Sequence, residues 1–388
     1  MNTGPIYLDY NATTPHAPEV IEAIRPYLEE HFGNPSSSHP YGIKAQKAVV
    51  EARIRVAKLL NCKPQEIVFT SGGTESNNYA IKGIAFAQGK KGSHIVTSQV
   101  EHPAIIKVCE YLEQKGFRIT YLPVDEYGMI DMGDLEAAIT PETILITIMH
   151  ANNEVGTIQP IEEIAKIARE RGVLFHTDAA QSVGKIPTDV QSLGVDLLSV
   201  AGHKVYAPKG IGALYIQSGV KLETLLHGAG QESGFRPGTE NVTEIVGLGK
   251  ACEIAERDLE RNRLHMMEMR DRLYEGLKGN WKDVKLNGHP ERRLPNTLNV
   301  SFRGLEANRI LSEINDFVAA SAGAACHSEG VDVSDVIKAM GVPLEWAKGT
   351  LRFSTGRMTT PQEIESSLEI ILQALKRLEG AQRSFQEK

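Results

Sequence analysis

The chain has 388 residues, enough for two or three domains with sizeable cores. Its 41% apolar and 23% charged composition describes an ordinary globular protein, and a net charge of −7 gives no electrostatic footprint for nucleic acid. The longest apolar stretch, 144–149, is interrupted by Thr147 and far too short to span a bilayer, and no Lys or Arg precedes Arg25, so neither a membrane span nor a secretory signal is expected and the chain reads as cytoplasmic.

In chain order, YLDYNATTP (7–15) predicts a short strand closed by turn formers, with a helix starting near Pro18. The polar loop FGNPSSSH (32–39) has no apolar reason to pack, and its Asn34 offers amide donors to an anion. A helical pattern over 41–60 leads into the strand 67–70. SGGTESNN (71–78) follows at once and opens a helix. Strand, glycine-rich turn and helix form a phosphate-binding arrangement: the glycines allow close backbone approach, and the free N–H groups and helix dipole favour an anion. Gly73 and Thr74 are the candidate contacts, with the Thr74 hydroxyl as a further donor.

The strand 95–98 precedes Glu101-His102-Pro103, where Pro103 suits a first helical turn. At a strand end the flat face of His102 can stack on a ring, and its ordinary pKa suits proton transfer near neutrality. The strand 144–149 ends in HANNEVG, and a helix over 160–171 is stopped by Gly172. Repeated strand–helix alternation from 67 to 215 predicts an α/β fold with a mostly parallel sheet covered by helices. Ligands then bind at the strands' carboxyl ends. Asn153, Asp178, Gln181, His203 and Lys204 all fall at such ends.

Lys204 follows the short apolar strand 196–200, and a second strand, 211–216, comes after Pro208-Lys209-Gly210. Desolvation over a cleft would lower the pKa of such a lysine towards a nucleophilic amine. Asp178 closes the preceding strand, 173–177. A strand-end carboxylate followed by a strand-end lysine is what pyridoxal 5'-phosphate (PLP) requires. The lysine holds the aldehyde as an imine, and the carboxylate keeps the ring nitrogen protonated.

Past residue 258 the composition shifts to a charged helix (259–277), then a strand (297–302) and a helix (306–315). AASAGAACHSEG (319–330) is dominated by small residues, which predicts a mobile loop around Cys326. The four cysteines, Cys62, Cys109, Cys252 and Cys326, form no CxxC pair, which argues against a thiolate metal site and a disulfide framework. The strand 350–354 carries Arg352, and a closing helix is signalled by Thr360, Pro361, Glu363 and Gly380.

HTDAAQ (176–181) and AGHKVYAPKGIGALY (201–215) resemble the cofactor core of the cysteine desulfurase and selenocysteine lyase family. The likeness runs from Tyr7 to about Thr360. It implies the type I PLP fold, with a large domain at 16–257 and a small α+β domain formed by 1–15 and 258–388 that carries the Cys326 loop. It implies PLP as cofactor, held by Gly73, Thr74, His102, Asn153, Asp178, Gln181, His203 and Lys204, with Thr239 reaching the phosphate of a neighbouring subunit in a homodimer. Asn34, Asn153 and Arg352 would face the substrate, Arg352 as a bidentate clamp on its carboxylate. The implied reaction converts L-cysteine to L-alanine. Lys204 and His102 move protons, and Cys326 takes the sulfur as a persulfide for an acceptor protein such as an iron–sulfur scaffold. Two other readings stand beside it: a selenocysteine lyase acting on L-selenocysteine, and a non-catalytic binding homologue. Many relatives place a serine three residues before the lysine where this chain has Ala201, so one phosphate hydrogen bond is expected to be missing.

Overall fold

The computed structural model describes residues 4–322 and 333–386. A seven-stranded sheet lies at its centre, in the order Ile67–Thr70, Gly212–Ile216, Leu197–Ala201, Leu174–Asp178, Thr143–Thr147, His94–Ser98, Arg118–Leu122. Six strands run one way and Gly212–Ile216 runs against both neighbours, so the sheet is mostly parallel, as expected.

The strands lack polar alternation because both faces are buried. Ile95 and Val96, Leu145 and Ile146, and Leu197 and Leu198 are consecutive residues that enter opposite hydrophobic clusters. One cluster packs under the helices Pro40–Leu60 and Ile161–Arg171, the other under Gly73–Gln88 and Pro103–Glu113. The right-handed crossovers of a parallel sheet leave the loops after Ser98, Thr147, Asp178 and Ala201 along one edge.

A second, antiparallel sheet orders Ser321–Ala322, Thr350–Ser354, Thr297–Phe302 and Val284–Asn287. Its core of Leu298, Val300, Phe302, Leu351 and Phe353 packs against Ile371 and Leu375 of the helix Pro361–Gln386. The strand Ile6–Tyr7 pairs in parallel with Val318–Ala319, and the chain then crosses to the central sheet through residues 9–14.

Several expectations need correction. The helix predicted at 259–277 is the second half of one 39-residue helix, Val242–Asn280, which runs straight through the boundary expected at 257/258. Its first half is buried against the helix Pro40–Leu60, and Met269, Leu273 and Leu277 join the second core. The closing helix starts with the expected reciprocal cap, Glu363 N–H to Thr360 Oγ1 at 3.2 Å and Thr360 N–H to Glu363 Oε2 at 2.7 Å. It does not stop at Gly380 but continues to Gln386, because no proline follows to break it. The strands Arg118–Leu122 and Val284–Asn287 were not anticipated; both are short, and the second is half polar.

Candidate active site

The strand ends enclose a cavity of about 330 Å³ lined by Gly73, Thr74, His102, Asn153, Asp178, Gln181, His203, Lys204 and Arg352. These are nine of the residues predicted from sequence, gathered from positions as far as 279 apart in the chain (352 − 73).

Lys204 closes a single turn, Gly202–Lys204, directly after the strand Leu197–Ala201. Its Nζ donates to the carbonyls of Asn11 at 2.5 Å and Ala12 at 2.6 Å. Loss of solvent, reinforced by the Arg352 charge and opposed by Asp9 and Asp178, brings its pKa down to about 8. The adjacent His203 shares a hydrogen bond between Nδ1 and Thr13 Oγ1 at 3.2 Å. Burial and the Lys204 charge bring its pKa down to about 4, so the ring is neutral.

Asp178 ends its strand with the carboxylate almost wholly buried. Oδ2 accepts from Asn77 Nδ2 at 2.7 Å and Oδ1 from the Ala180 N–H at 2.9 Å. The partner Asn77 lies on the buried side of the helix Gly73–Gln88, and among the described residues its own Oδ1 is buried without a partner. That helix begins at Gly72, whose φ of +150° is open to glycine and strained for other residues. A Cβ on Gly73 would sit 3.2 Å from the Ala201 side chain, so position 201 abuts the helix N-terminus where an anion would bind.

His102 is the N-cap of the helix Pro103–Glu113, its Nδ1 accepting from the Ala104 N–H at 3.1 Å. The neutral ring therefore carries its proton on Nε2. Its ring is exposed to the open cavity but flanked by protein atoms. Desolvation lowers its pKa, with Lys204 adding to the shift and Asp178 opposing it. Beside it, buried Glu101 accepts from Ser98 Oγ and the Met149 N–H, which braces the turn that carries the ring.

Arg352 is already engaged. Nη2 donates to Asp9 Oδ1 at 2.8 Å and to Ser321 Oγ at 3.1 Å, and Nη1 to the Asn153 carbonyl at 3.0 Å. Among the described residues Nε is buried without a partner. Ser321 Oγ also donates to Asp9 Oδ2 at 2.9 Å. Both bidentate edges of a guanidinium use the nitrogen that here holds Asp9, so the clamp predicted from sequence is not free as it stands.

Asn11, which sequence reasoning placed only in a segment at the cavity mouth, joins the two sheets. Its side chain donates to Thr297 Oγ1 and the Asn153 carbonyl and accepts from Asn296, while its own carbonyl receives both Lys204 and Gln181. Asn77, Asp9 and Asn11 were missed because a lone amide or carboxylate in a polar run has no signature until the fold sets its partner.

Two predicted residues lie apart from the cavity. Asn34 is exposed, and its Oδ1 accepts from the Ser36 N–H at 2.9 Å, a local turn that engages the amide oxygen within its own loop. Thr239 is exposed in the 228–241 loop, away from this chain's cavity. Cys326 lies outside the described residues.

The donor set suits PLP: an amine of lowered pKa, a buried carboxylate with fixed partners, an exposed imidazole face and an open helix N-terminus.

The class-V aminotransferase family profile matches residues 6–366. The cysteine desulfurase IscS of Dictyoglomus turgidum is 50% identical over 374 residues, which cover 96% of this chain and 95% of that protein. IscS of Methanosarcina thermophila is also 50% identical, covering 96% and 92%. Among solved structures, a NifS-like protein superimposes with a TM-score of 0.90 at 38% identity, covering 96% of this chain and 100% of the other. A structure of SspA in complex with cysteine aligns with a TM-score of 0.81 at 39% identity, covering 91% and 99%.

Proposed function

The chain belongs to the class-V aminotransferase family and is a PLP-dependent cysteine desulfurase, and from that premise we propose which residues perform the reaction. The observation that carries the assignment is the desolvated Lys204 amine and the buried Asp178 carboxylate converging on one cavity.

Gly73, Thr74 and His203 would hold the phosphate, His102 the ring face, and Gln181 and Asn153 the ring hydroxyl or the substrate. When bound, PLP supplies an electron-withdrawing ring that stabilises negative charge at the substrate Cα. Asp178, held by Asn77 and Ala180, keeps the proton on the ring nitrogen. Lys204, with its pKa near 8, takes the Cα proton. His102, protonated on Nε2, serves the proton steps at the thiol and the product.

Arg352 takes the substrate carboxylate in the place that Asp9 now occupies. The exchange is close to isosteric, one carboxylate for another on the same guanidinium nitrogen. Cys326 attacks the substrate sulfur as thiolate. A sulfur–sulfur bond forms as the Cβ–sulfur bond breaks, the bonding electron pair goes to carbon, and protonation there leaves L-alanine. The persulfide then passes to an acceptor, for which an iron–sulfur scaffold is the proposed class.

A homodimer belongs to the same proposal. Ile43, Val50 and Ile54 form an exposed stripe on the helix Pro40–Leu60. Phe32, 81% exposed, stacks on exposed Tyr41 at 5.4 Å between ring centroids. A patch of this kind is unusual on a monomer. We assign the small unit to residues 1–15 and 258–388, with the helix Val242–Asn280 shared between the two units.

The test is product release with each amino acid. The purified protein should yield sulfide and alanine from L-cysteine in the presence of reductant. Without reductant the peptide bearing Cys326 should gain the mass of sulfur, and Cys326→Ala should stop sulfide release. Selenide from selenocysteine with no sulfide from cysteine would overturn the assignment, as would persulfide found only at Cys62, Cys109 or Cys252.

A further inference from the structure

Lys185 lies one shell behind the cavity and is only 3% exposed. Its Nζ donates to Gln181 Oε1 at 2.9 Å, and among the described residues no carboxylate pairs with it. A buried amine without a counter-charge is costly, and a methionine of similar length would fill the same space more cheaply. The lysine is therefore not explained by stability.

Its geometry offers another explanation. The far end of the Gln181 amide, Nε2, donates to the Asn11 carbonyl at 3.0 Å, the same oxygen that receives Lys204 Nζ. A glutamine amide is ordinarily free to turn over, exchanging its acceptor and donor ends. Here an amine holds one end and a carbonyl the other, and the reversed orientation would set two carbonyl oxygens against each other. Oε1 is thus held on the Lys185 side, and the second N–H of the amide is left to face the cavity that Gln181 lines.

We propose that Lys185 is a positioning residue that locks the Gln181 amide, so that the contact Gln181 makes to the cofactor's ring oxygen is made by a hydrogen-bond donor and favours the anionic form of that oxygen. The proposal rests on the placement of PLP in this cavity. A locked donor favours an oxyanion acceptor, and an amide free to turn would also accept from a neutral hydroxyl. Lys185 thereby acts on the cofactor without touching it.

The experiment is a double-mutant cycle on Lys185→Met and Gln181→Met, read by the PLP dissociation constant, the absorption maximum of bound PLP and the melting temperature of the apoprotein. Each single variant should bind PLP about tenfold more weakly, one hydrogen bond's worth of affinity, with a displaced absorption maximum. The double variant should be no weaker than Gln181→Met alone, because Lys185 works only through Gln181. The Lys185→Met apoprotein should melt no lower than wild type. Should that variant fail to fold, Gln181→Met alone, which removes the N–H without adding a charge, should fold and lose PLP affinity. Wild-type affinity in Lys185→Met or Gln181→Met, or losses that multiply in the double variant, would overturn the proposal. Absence of PLP binding by the wild type would instead overturn the cofactor placement itself.

Discussion

The cavity has two walls that differ in how far they are prepared for their ligands. On the central-sheet side, Asp178 is held by Asn77 and Ala180, the Gln181 amide is pinned at both ends, and the helix N-terminus at Gly73 stands open. On the antiparallel-sheet side, Arg352 already grips a carboxylate, that of Asp9, and a hydroxyl, that of Ser321. One wall is organised before anything binds, and the other has to exchange a resident partner for its ligand. The contrast suits a cofactor that stays and a substrate that comes and goes. Preorganisation raises the affinity for PLP, whereas an exchange of equivalent carboxylates holds substrate affinity moderate.

Changes to the first wall should be the most severe. Lys204→Ala should abolish turnover, measured as alanine release, while far-ultraviolet circular dichroism stays that of the wild type. Residual turnover above a hundredth of wild type would break the distinction between the walls. On the second wall, Arg352→Ala should raise KM for cysteine roughly ten- to a hundredfold, the loss of a charge-assisted pair of about 1.5–3 kcal/mol, with the bound-cofactor spectrum unchanged. A fall in PLP occupancy at unchanged KM would place Arg352 on the wrong wall.

The pH dependence sharpens the first wall. Lys204 reacts as the neutral amine, and its pKa is lowered to about 8. Below that pH the amine is protonated, so the initial rate of PLP incorporation into apoprotein should rise about tenfold per pH unit up to about 8 and then level off. A rate that keeps climbing towards pH 10 would show an ordinary solvated lysine. On the second wall, Asp9→Asn removes the resident charge and should lower KM roughly three- to tenfold, a fraction of a charge-assisted bond. If KM rises instead, Asp9 orients Arg352 and is not displaced. The smallest effect is expected for Ala201→Ser, which places a hydroxyl beside the helix N-terminus at Gly73 and should tighten PLP binding by one neutral hydrogen bond, about 0.5–1.5 kcal/mol. Equilibrium titration that finds no gain would mean that a serine at 201 makes no productive bond there.

The same contrast explains what could be read from the sequence. Strand-end placement is a property of periodicity, so the apolar runs before His102, Asn153, Asp178 and Lys204 pointed to one edge of a parallel sheet. The glycine-rich turn before Thr74 pointed to an anion site by its composition alone. The resident partner of Arg352 was not legible, because Asp9 and Arg352 are 343 positions apart and meet only when the two sheets join. The same holds for Asn11, whose contacts at 153, 181, 204, 296 and 297 exist only across that join. A polar loop offers the same amide to a ligand as to its own backbone, and at Asn34 the Ser36 N–H holds the amide oxygen.

Lys204, and no other lysine, should carry the cofactor. Wild-type protein loaded with PLP and reduced with borohydride should, after proteolysis and mass spectrometry, show one pyridoxyl adduct, on the peptide containing Lys204. An adduct confined to Lys185, Lys209 or any other lysine, with Lys204 unmodified, would contradict the account.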